Sequence, residues 1–280
     1  MSLPLGIFSR TFTQPTLDGL LNAAQAHGLR YVHFNLACAG AAIDNIPEVI
    51  DDELCGTIRA AFSKRGLTMC STSGTFNAIH PDRDERESLI RRACHLIERG
   101  HDLGTSIVTL CTGSRDSNSM WQKHPGNDLP DAWDDLTATL ECLLIVAERH
   151  NIVLGIEPEK GNVINSAVKA RRILDQMKSR HLKIVIDGAN LFEPQDETHM
   201  QSVLEEAFDL LGTDIAMAHA KDITDDDSKT DQAAGTGRLD WATYCRLLKQ
   251  YGYDGPVVLH NLNESQVDSS IAFLKRHLAE

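Results

Sequence analysis

The sequence has few aromatic residues and no long apolar run. Aromatic side chains make up 5% of the 280 residues, apolar side chains as a whole 42%, and charged side chains 24%. A membrane-spanning helix needs about 18 consecutive apolar residues, and no stretch approaches that length. The composition is typical of a globular chain that buries a full core. We therefore expect no association with a membrane.

Basic residues are also fewer than acidic residues. Lysine and arginine number 27 against 40 aspartates and glutamates, which gives a net charge of −13. The longest basic clusters, Arg91-Arg92 and Arg171-Arg172, each fall within a helical pattern. A chain of this charge repels phosphate backbones, so we expect no nucleic-acid partner. The same negative balance favours binding of a cation.

The cysteines lack the pattern of a disulfide framework. There are 7 of them, an odd number, and they show no C-x-x-C pairing. Buried, reduced thiols are the ordinary state of such cysteines in a cytoplasmic protein. No signal-peptide pattern precedes the first apolar run. The chain is therefore expected to be cytoplasmic.

Short apolar runs rich in β-branched residues alternate with segments of helical spacing. Eightfold alternation predicts parallel strands joined by helices, either as a closed barrel or as an open doubly wound sheet. No G-x-G-x-x-G follows the first run, and no low-complexity linker interrupts the chain. We therefore predict an α/β fold, one (β/α)₈ TIM barrel over residues 1–280. The predicted strands are Leu5–Phe8, Tyr31–Leu36, Leu67–Cys70, Ser106–Cys111, Ile152–Ile156, Lys183–Ile186, Ile215–Ala218 and Pro256–Leu259.

Two helix starts are marked by residues that typically cap helices. Asp131 precedes the apolar positions Leu136 and Leu140, and Ser166 precedes Ile173 and Leu174. Oxygen-bearing side chains at these places accept hydrogen bonds from the first free N–H groups of a helix. We expect Asp131 to be an N-cap and a further helix to begin at Ser166.

Four side chains of metal-ligand type follow the last four predicted strands. They are Glu157, Asp187, His219 and His260, separated by about 30 to 40 residues, the length of one strand-and-helix unit. Strand ends converge at the mouth of a barrel, where such folds have their active sites. Any one of these residues alone would be read as a helix cap or a turn residue, but four at equivalent positions predict a metal site. Two carboxylates with two imidazoles favour Mn, Zn, Co or Fe over Mg.

These segments resemble the sugar phosphate isomerase/epimerase superfamily, the xylose-isomerase-like barrels. The superfamily includes ketose 3-epimerases, hydroxypyruvate isomerase and inosose dehydratase, with a DNA-repair branch among the apurinic-site endonucleases. The motifs that carry the resemblance are Gly155-Ile156-Glu157-Pro158, Val185-Ile186-Asp187-Gly188-Ala189-Asn190, Ala218-His219-Ala220-Lys221-Asp222 and Gly235-Thr236-Gly237-Arg238-Leu239-Asp240-Trp241.

The resemblance implies a metal held by residues after strands five to eight. In the epimerase-like members these are Glu, Asp, His and Glu, and the first three match Glu157, Asp187 and His219. His260 stands where the last Glu is expected. In those epimerases the two glutamates also form the acid/base pair on opposite faces of the substrate, so His260 departs from that symmetric arrangement.

The resemblance implies a divalent-metal-dependent sugar, sugar-phosphate or keto-polyol isomerase or epimerase. Its reaction would pass through an enediolate by proton transfer next to a carbonyl. Glu157 is the expected base and metal ligand, and His260 a ligand or second proton carrier. Alternatives are a metal-dependent dehydratase or lyase of a keto-polyol and a non-catalytic sugar-binding barrel. The DNA-repair nuclease is disfavoured by the net charge of −13 and by a single apparent ligand set.

Four further residues are candidates for contact with the small carbohydrate substrate. Asn190 would hydrogen-bond a hydroxyl, or stabilise a turn. Lys221 would hold a carboxylate or phosphate, or pair with Asp222. Arg238 would reach an anionic substrate or remain at the surface, and Trp121 would stack on a sugar ring or anchor its loop. A homo-oligomer is also possible, since members of the superfamily are often dimers or tetramers.

Overall fold

The strands form a closed parallel barrel in a computed structural model of the chain, which describes residues 3–192, 199–223 and 232–279. Neighbouring strands pair in parallel around the ring, and β6 pairs with β7 to close it. A short additional strand pairs antiparallel with the end of β7. The strands are Leu5–Phe8 (β1), Tyr31–Phe34 (β2), Thr68–Ser73 (β3), Ile107–Cys111 (β4), Val153–Glu157 (β5), Leu182–Asp187 (β6), Ile215–Asp222 (β7), Gln232–Ala233 (β8, the additional strand) and Val257–Leu259 (β9). The predicted (β/α)₈ barrel is confirmed.

Helices cover the outside of the barrel. They are Leu17–Ala26 (α1), Asp52–Lys64 (α2), Arg83–Glu98 (α3), Gly100–Leu103 (α4), Pro130–His150 (α5), Ala167–Met177 (α6), Met200–Leu211 (α7), Trp241–Gln250 (α8) and Val267–Ala279 (α9). Their apolar faces pack on the outer faces of the strands and form the main core. No helix among the described residues is long and apolar enough to cross a membrane.

The predicted helix start at Ser166 is confirmed, and the predicted cap Asp131 was wrong. The Ser166 side chain accepts a hydrogen bond from the Lys169 N–H at the start of α6. Helix α5, however, begins at Pro130, and Asp131 lies in its first turn. Proline is favoured at the first helical position because its missing N–H would have no partner there.

Two strands are longer than the apolar pattern predicts. β3 was expected to end at Cys70 and continues to Ser73, and β7 was expected to end at Ala218 and continues to Asp222. The added residues are largely polar and approach the barrel mouth, and β8 pairs with the end of β7 there. An expectation based on apolar runs stops at the first polar residue, although a strand that lines a polar cavity does not.

The barrel interior changes from apolar to polar along the strands. Val185, Met217 and Val258 form a buried cluster inside the barrel, with Cys70 packed against it. Because side chains alternate between the two faces of a strand, the residues two positions further on point into the barrel as well. Those residues are Asp187, His219 and His260. The apolar layer therefore forms a floor beneath the candidate metal ligands.

Gly155 on β5 has no side chain and so leaves space in this floor for Val185. A Cβ at this position would lie 2.9 Å from Val185 Cγ2, closer than such carbons approach. Glu157, two residues later on the same side of β5, is therefore the first side chain of that strand to project above the floor.

Asp222 fixes the end of β7 and the segment that returns to it. Its buried carboxylate accepts hydrogen bonds from the backbone N–H groups of Ile223, Gly235 and Leu239 and from the Trp241 indole, at 2.8–3.0 Å. One carboxylate thus satisfies four donors on the carboxyl side of the barrel. We regard it as the main anchor of this segment.

Replacing Asp222 with Ala is expected to lower the free energy of unfolding by on the order of 3 kcal/mol, because two buried donors, the Leu239 N–H and the Trp241 indole, lose this acceptor. Urea unfolding of the variant and wild type measures the difference. The matched control is Asp254→Ala, which removes the same charge from an exposed position and should be nearly neutral. Equal stability of the two variants would contradict this role of Asp222.

Candidate metal centre

The structure brings the four candidate ligands together at the barrel mouth. Donor atoms of Asp187, His219 and His260 all lie within 4.8 Å of one another. Glu157 joins them from β5, with its Oε1 3.0 Å from His219 Nδ1. Strand ends from β5, β6, β7 and β9 supply these residues. Their role as ligands remains a prediction, while their convergence is a feature of the fold.

Hydrogen bonds hold the two carboxylates in place. Asn190 Nδ2 donates to Glu157 Oε1 at 3.1 Å, and Lys221 Nζ donates to Asn190 Oδ1 at 2.7 Å. Lys221 Nζ also lies 3.3 Å from Asp187 Oδ2. Asn190 thus bridges Lys221 and Glu157. The positive charge of Lys221 lies next to Asp187 and, through Asn190, near Glu157.

Four rings, those of Phe8, His33, His219 and His260, form a closed cluster beside the carboxylates, in which each ring contacts two others. The His219 and His260 ring centroids are 4.5 Å apart at an interplanar angle of 14°, and His33 from β2 stacks on His219 at 5.7 Å. Phe8 contacts both outer imidazoles, with centroids 4.7 Å from His33 and 4.9 Å from His260. The contacts fix the planes of all three imidazole rings.

The stacked imidazoles are neutral at neutral pH. Burial lowers the pKa of His219 to about 4, with nearby Lys221 acting in the same direction and Asp187 opposing it. Burial also lowers the pKa of His33 and His260 well below the usual value, and neighbouring charged or ionisable groups add to this effect. A neutral imidazole offers a lone pair, which is the form that binds metals.

The chemistry of these residues fits a divalent transition metal. His219 Nε2 and His260 Nδ1 are buried and have no hydrogen-bond partner among the described residues, which is uncommon for buried polar atoms. Glu157, Asp187 and Lys221 together carry a net charge of −1. Two carboxylates, two imidazoles and this negative balance suit a cation of the Mn, Fe, Co or Zn type.

A second group of donor atoms adjoins the first. The donor atoms of Cys111, Glu157 and Glu159 lie within 4.8 Å of one another. Burial raises the pKa of the Cys111 thiol, and the two glutamates raise it further. The thiol is therefore protonated at neutral pH. Glu157 belongs to this second group and contacts His219 of the first, so it links the two.

A cavity of about 470 Å³ opens above the candidate ligands. Glu157, Glu159, His219 and His260 form one part of its wall, and Trp121 lies on the wall as well. The remaining wall is mostly polar, with Asn35, Asn45, Ser73, Thr75 and Thr109 among its residues. Its size falls in the range of small-molecule sites.

The four predicted substrate contacts differ in position. Trp121 lies on the cavity wall and is 53% exposed, as a side chain that stacks on a ligand would be. Asn190 and Lys221 lie behind the wall, where Lys221 is 2% exposed, and their contacts are with the carboxylates. Arg238 is exposed and does not line the cavity. The structure thus brings only Trp121 to the cavity.

Two wall residues, Arg10 and Cys111, were not expected from the sequence. Cys111 is the last residue of β4, and Arg10 lies two residues beyond the end of β1. The rule that identifies the metal-ligand candidates, polar side chains at strand ends, applies to both. The predicted ligands follow the last four strands, whereas Arg10 and Cys111 belong to the ends of the first and fourth strands.

The sequence matches the xylose isomerase-like TIM barrel family over residues 21–277. The chain belongs to this family. Among curated proteins no sequence relative matches this xylose isomerase-like barrel.

Solved structures of other barrels superpose on this one over nearly the whole chain. The apo form of 3-keto-D-glucoside 4-epimerase from E. coli has a TM-score of 0.74 at 19% identity, covering 98% of this chain and 99% of that one. A D-tagatose 3-epimerase-like protein gives 0.76 at 18% identity, covering 100% and 97%. The IOLI protein with a bound zinc atom gives 0.69 at 17% identity, covering 99% and 96%. Likeness at this identity establishes the fold.

The buried imidazoles predict a pH-dependent stability of the metal-free protein. Their pKa values are lower in the folded chain than in the unfolded chain, so the unfolded chain binds more protons below the usual histidine value of 6.5. The contribution of these histidines to the free energy of unfolding should be fully present above pH 6.5 and should fall as the pH drops toward 4. Each such histidine contributes up to about 1.4 kcal/mol per pH unit.

His33→Gln should remove one part of this slope, measured by urea unfolding between pH 7 and pH 5 in the presence of a chelator. Glutamine is long enough to retain a partner for Thr109, whose Oγ1 lies 3.2 Å from His33 Nε2. The control His101→Gln changes an exposed histidine and should keep the wild-type slope. A slope unchanged by His33→Gln would show that this imidazole does not take part.

Proposed function

We propose that this protein is a divalent-metal-dependent isomerase or epimerase of a sugar or a related keto-polyol. The observation that carries the proposal is the convergence of Glu157, Asp187, His219 and His260 beneath a polar cavity. The proposal is supported by the family, and by solved barrels of the same fold that include a 3-keto-D-glucoside 4-epimerase and a zinc-bound protein.

The reaction class follows from what these residues offer. Moving a proton at a carbon next to a carbonyl needs a base, a group that returns the proton, and stabilisation of the oxygen that becomes negative. Glu157, Asp187, His219 and His260 would hold the cation. When bound, a divalent cation supplies positive charge to neighbouring substrate oxygens and so makes the adjacent C–H more acidic.

Glu157 is the residue best placed to take the proton from carbon. It lies on the cavity wall although it is only 6% exposed, so a substrate in the cavity would exclude water from its carboxylate. Asn190 and His219 both contact its Oε1 and fix its orientation. A fixed carboxylate that is shielded from water suits general-base catalysis at one stereochemically defined face.

His260 is the residue that sets this barrel apart from the expected four-residue pattern. Its ring lies on the cavity wall and is held between Phe8 and His219. In this position it would either complete the metal site or return the proton to the substrate. Because His260 stands where a glutamate is expected, Glu157 and His260 would be chemically different proton carriers, unlike a symmetric pair of glutamates.

Metal content tests the first half of the proposal. Wild type should bind about one Mn, Zn, Co or Fe ion per chain, and His260→Ala should weaken its affinity by at least about 100-fold, since a direct ligand matters more than residues around one. Elemental analysis after dialysis against each metal measures both. His260→Glu, which restores the expected carboxylate, should retain the ion, and His101→Ala serves as control. Absence of bound metal from wild type would contradict the proposal.

Proton exchange tests the second half. A panel of ketoses and keto-polyols incubated in D₂O with the metal-loaded protein should include a member that gains deuterium on carbon next to the carbonyl, detected by NMR. Glu157→Gln should slow this exchange by about 10²–10⁴-fold, the usual contribution of a general base. Binding of a sugar without any exchange would instead indicate a sugar-binding barrel.

A further inference from the structure

Arg10 is the one lysine or arginine on the cavity wall, as far as the described residues go. It follows β1 and lies in a single turn of 3₁₀ helix, Ser9–Thr11. Its neighbours in the chain are covered: Ser9 and Thr11 are buried, Thr11 as part of the same cavity wall, whereas Arg10 is exposed. The turn thus presents a guanidinium group at the carboxyl end of the barrel, on the same side as the candidate metal ligands.

The guanidinium of Arg10 makes no hydrogen bond or ion pair with any described residue. Two carboxylates lie on the same cavity wall, Glu157 and Glu159, and neither pairs with it. The other basic group near the site, Lys221, is 2% exposed and bound to Asn190 and Asp187. The cavity therefore has one cationic side chain that is both accessible and uncommitted within the described part of the chain.

An anionic ligand needs such a group in this protein. The chain carries a net charge of −13, so a phosphate or carboxylate would be repelled in the absence of a local cation. A guanidinium presents several N–H donors in a planar fork that matches two oxygens of a carboxylate or phosphate. Lys221 cannot take this role from its position behind the wall.

We infer that Arg10 is the specificity-determining residue of this barrel and binds a phosphate or carboxylate group carried by the substrate. The inference rests on the proposed function, which supplies the sugar-like remainder of the ligand. The candidate metal ligands hold the reacting carbons, and Arg10 holds the charged substituent. The substrate class is therefore a sugar phosphate or a sugar acid, in preference to a neutral sugar.

Binding of matched sugar pairs tests this assignment. The metal-loaded protein is titrated by calorimetry with D-fructose and D-fructose 6-phosphate, with D-glucose and D-glucuronate, and with inorganic phosphate alone. In at least one pair the anionic sugar should bind at least about tenfold more tightly than its neutral parent, which is the usual gain from a charged hydrogen bond. The two pairs distinguish a phosphate from a carboxylate.

Arg10→Ala should abolish this preference, so that the anionic sugar and its neutral parent bind with similar affinity. Arg10→Lys should restore part of it, because the charge returns without the planar fork. The matched control is Arg30→Ala, which removes the same charge from an exposed position that precedes β2, at the amino end of the barrel. Since Arg10 is exposed and makes no hydrogen bond or ion pair with a described residue, its variant should unfold at the wild-type temperature.

Two results would overturn the inference. One is equal or weaker binding of both anionic sugars in wild type, including absence of binding; the other is an anion preference that survives in Arg10→Ala. Failure of the proposed function is a separate result, because it appears as absence of deuterium exchange even where the Arg10-dependent preference is present.

Discussion

The site depends on the burial of two carboxylates, Glu157 and Asp187, at the mouth of a barrel. A buried carboxylate is costly unless it is paired and hydrogen-bonded. Lys221 pairs with Asp187, and Asn190 donates a hydrogen bond to Glu157. The imidazole of His219 contacts both acids, with its Nδ1 3.0 Å from Glu157 and 3.7 Å from Asp187. The pairing is incomplete, since one lysine faces two carboxylates. The remaining negative charge and the unpartnered imidazole nitrogens make a divalent cation the natural complement of the site.

The cluster of four rings gives His260 contacts that a carboxylate would lack. An imidazole at this place stacks on His219 and on Phe8, and its burial keeps it neutral. A glutamate would add a third negative charge to a cluster that already has one too many. In the proposed metal site an imidazole would thus take the place of a charged carboxylate, and such a donor set would favour metals such as zinc, iron or cobalt over magnesium. It also leaves Glu157 as the main candidate for proton abstraction.

The sequence predicted the fold and the convergence of four strand ends because both follow from a repeated pattern. Parallel strands joined by helices bring their carboxyl ends to one edge, so the sequence alone indicates that Glu157 and His260 lie close together. It did not predict which polar residues face the cavity. Lys221 shares its strand face with His219 yet is covered, and Arg10 is exposed on a turn, because cavity access depends on how neighbouring loops pack. The expected cap Asp131 failed for a local reason, since Pro130 starts the helix one residue earlier.

X-ray absorption spectroscopy of the zinc-loaded protein tests the central claim, that His219 and His260 both bind the metal beside Glu157 and Asp187. The account predicts a first shell of nitrogen and oxygen at about 2.0–2.2 Å, with outer-shell scattering from two imidazole rings and no sulfur shell. In the His260→Ala protein the scattering of one ring should disappear. A spectrum with a single imidazole in wild type, or with a sulfur ligand at about 2.3 Å from Cys111, would contradict the account.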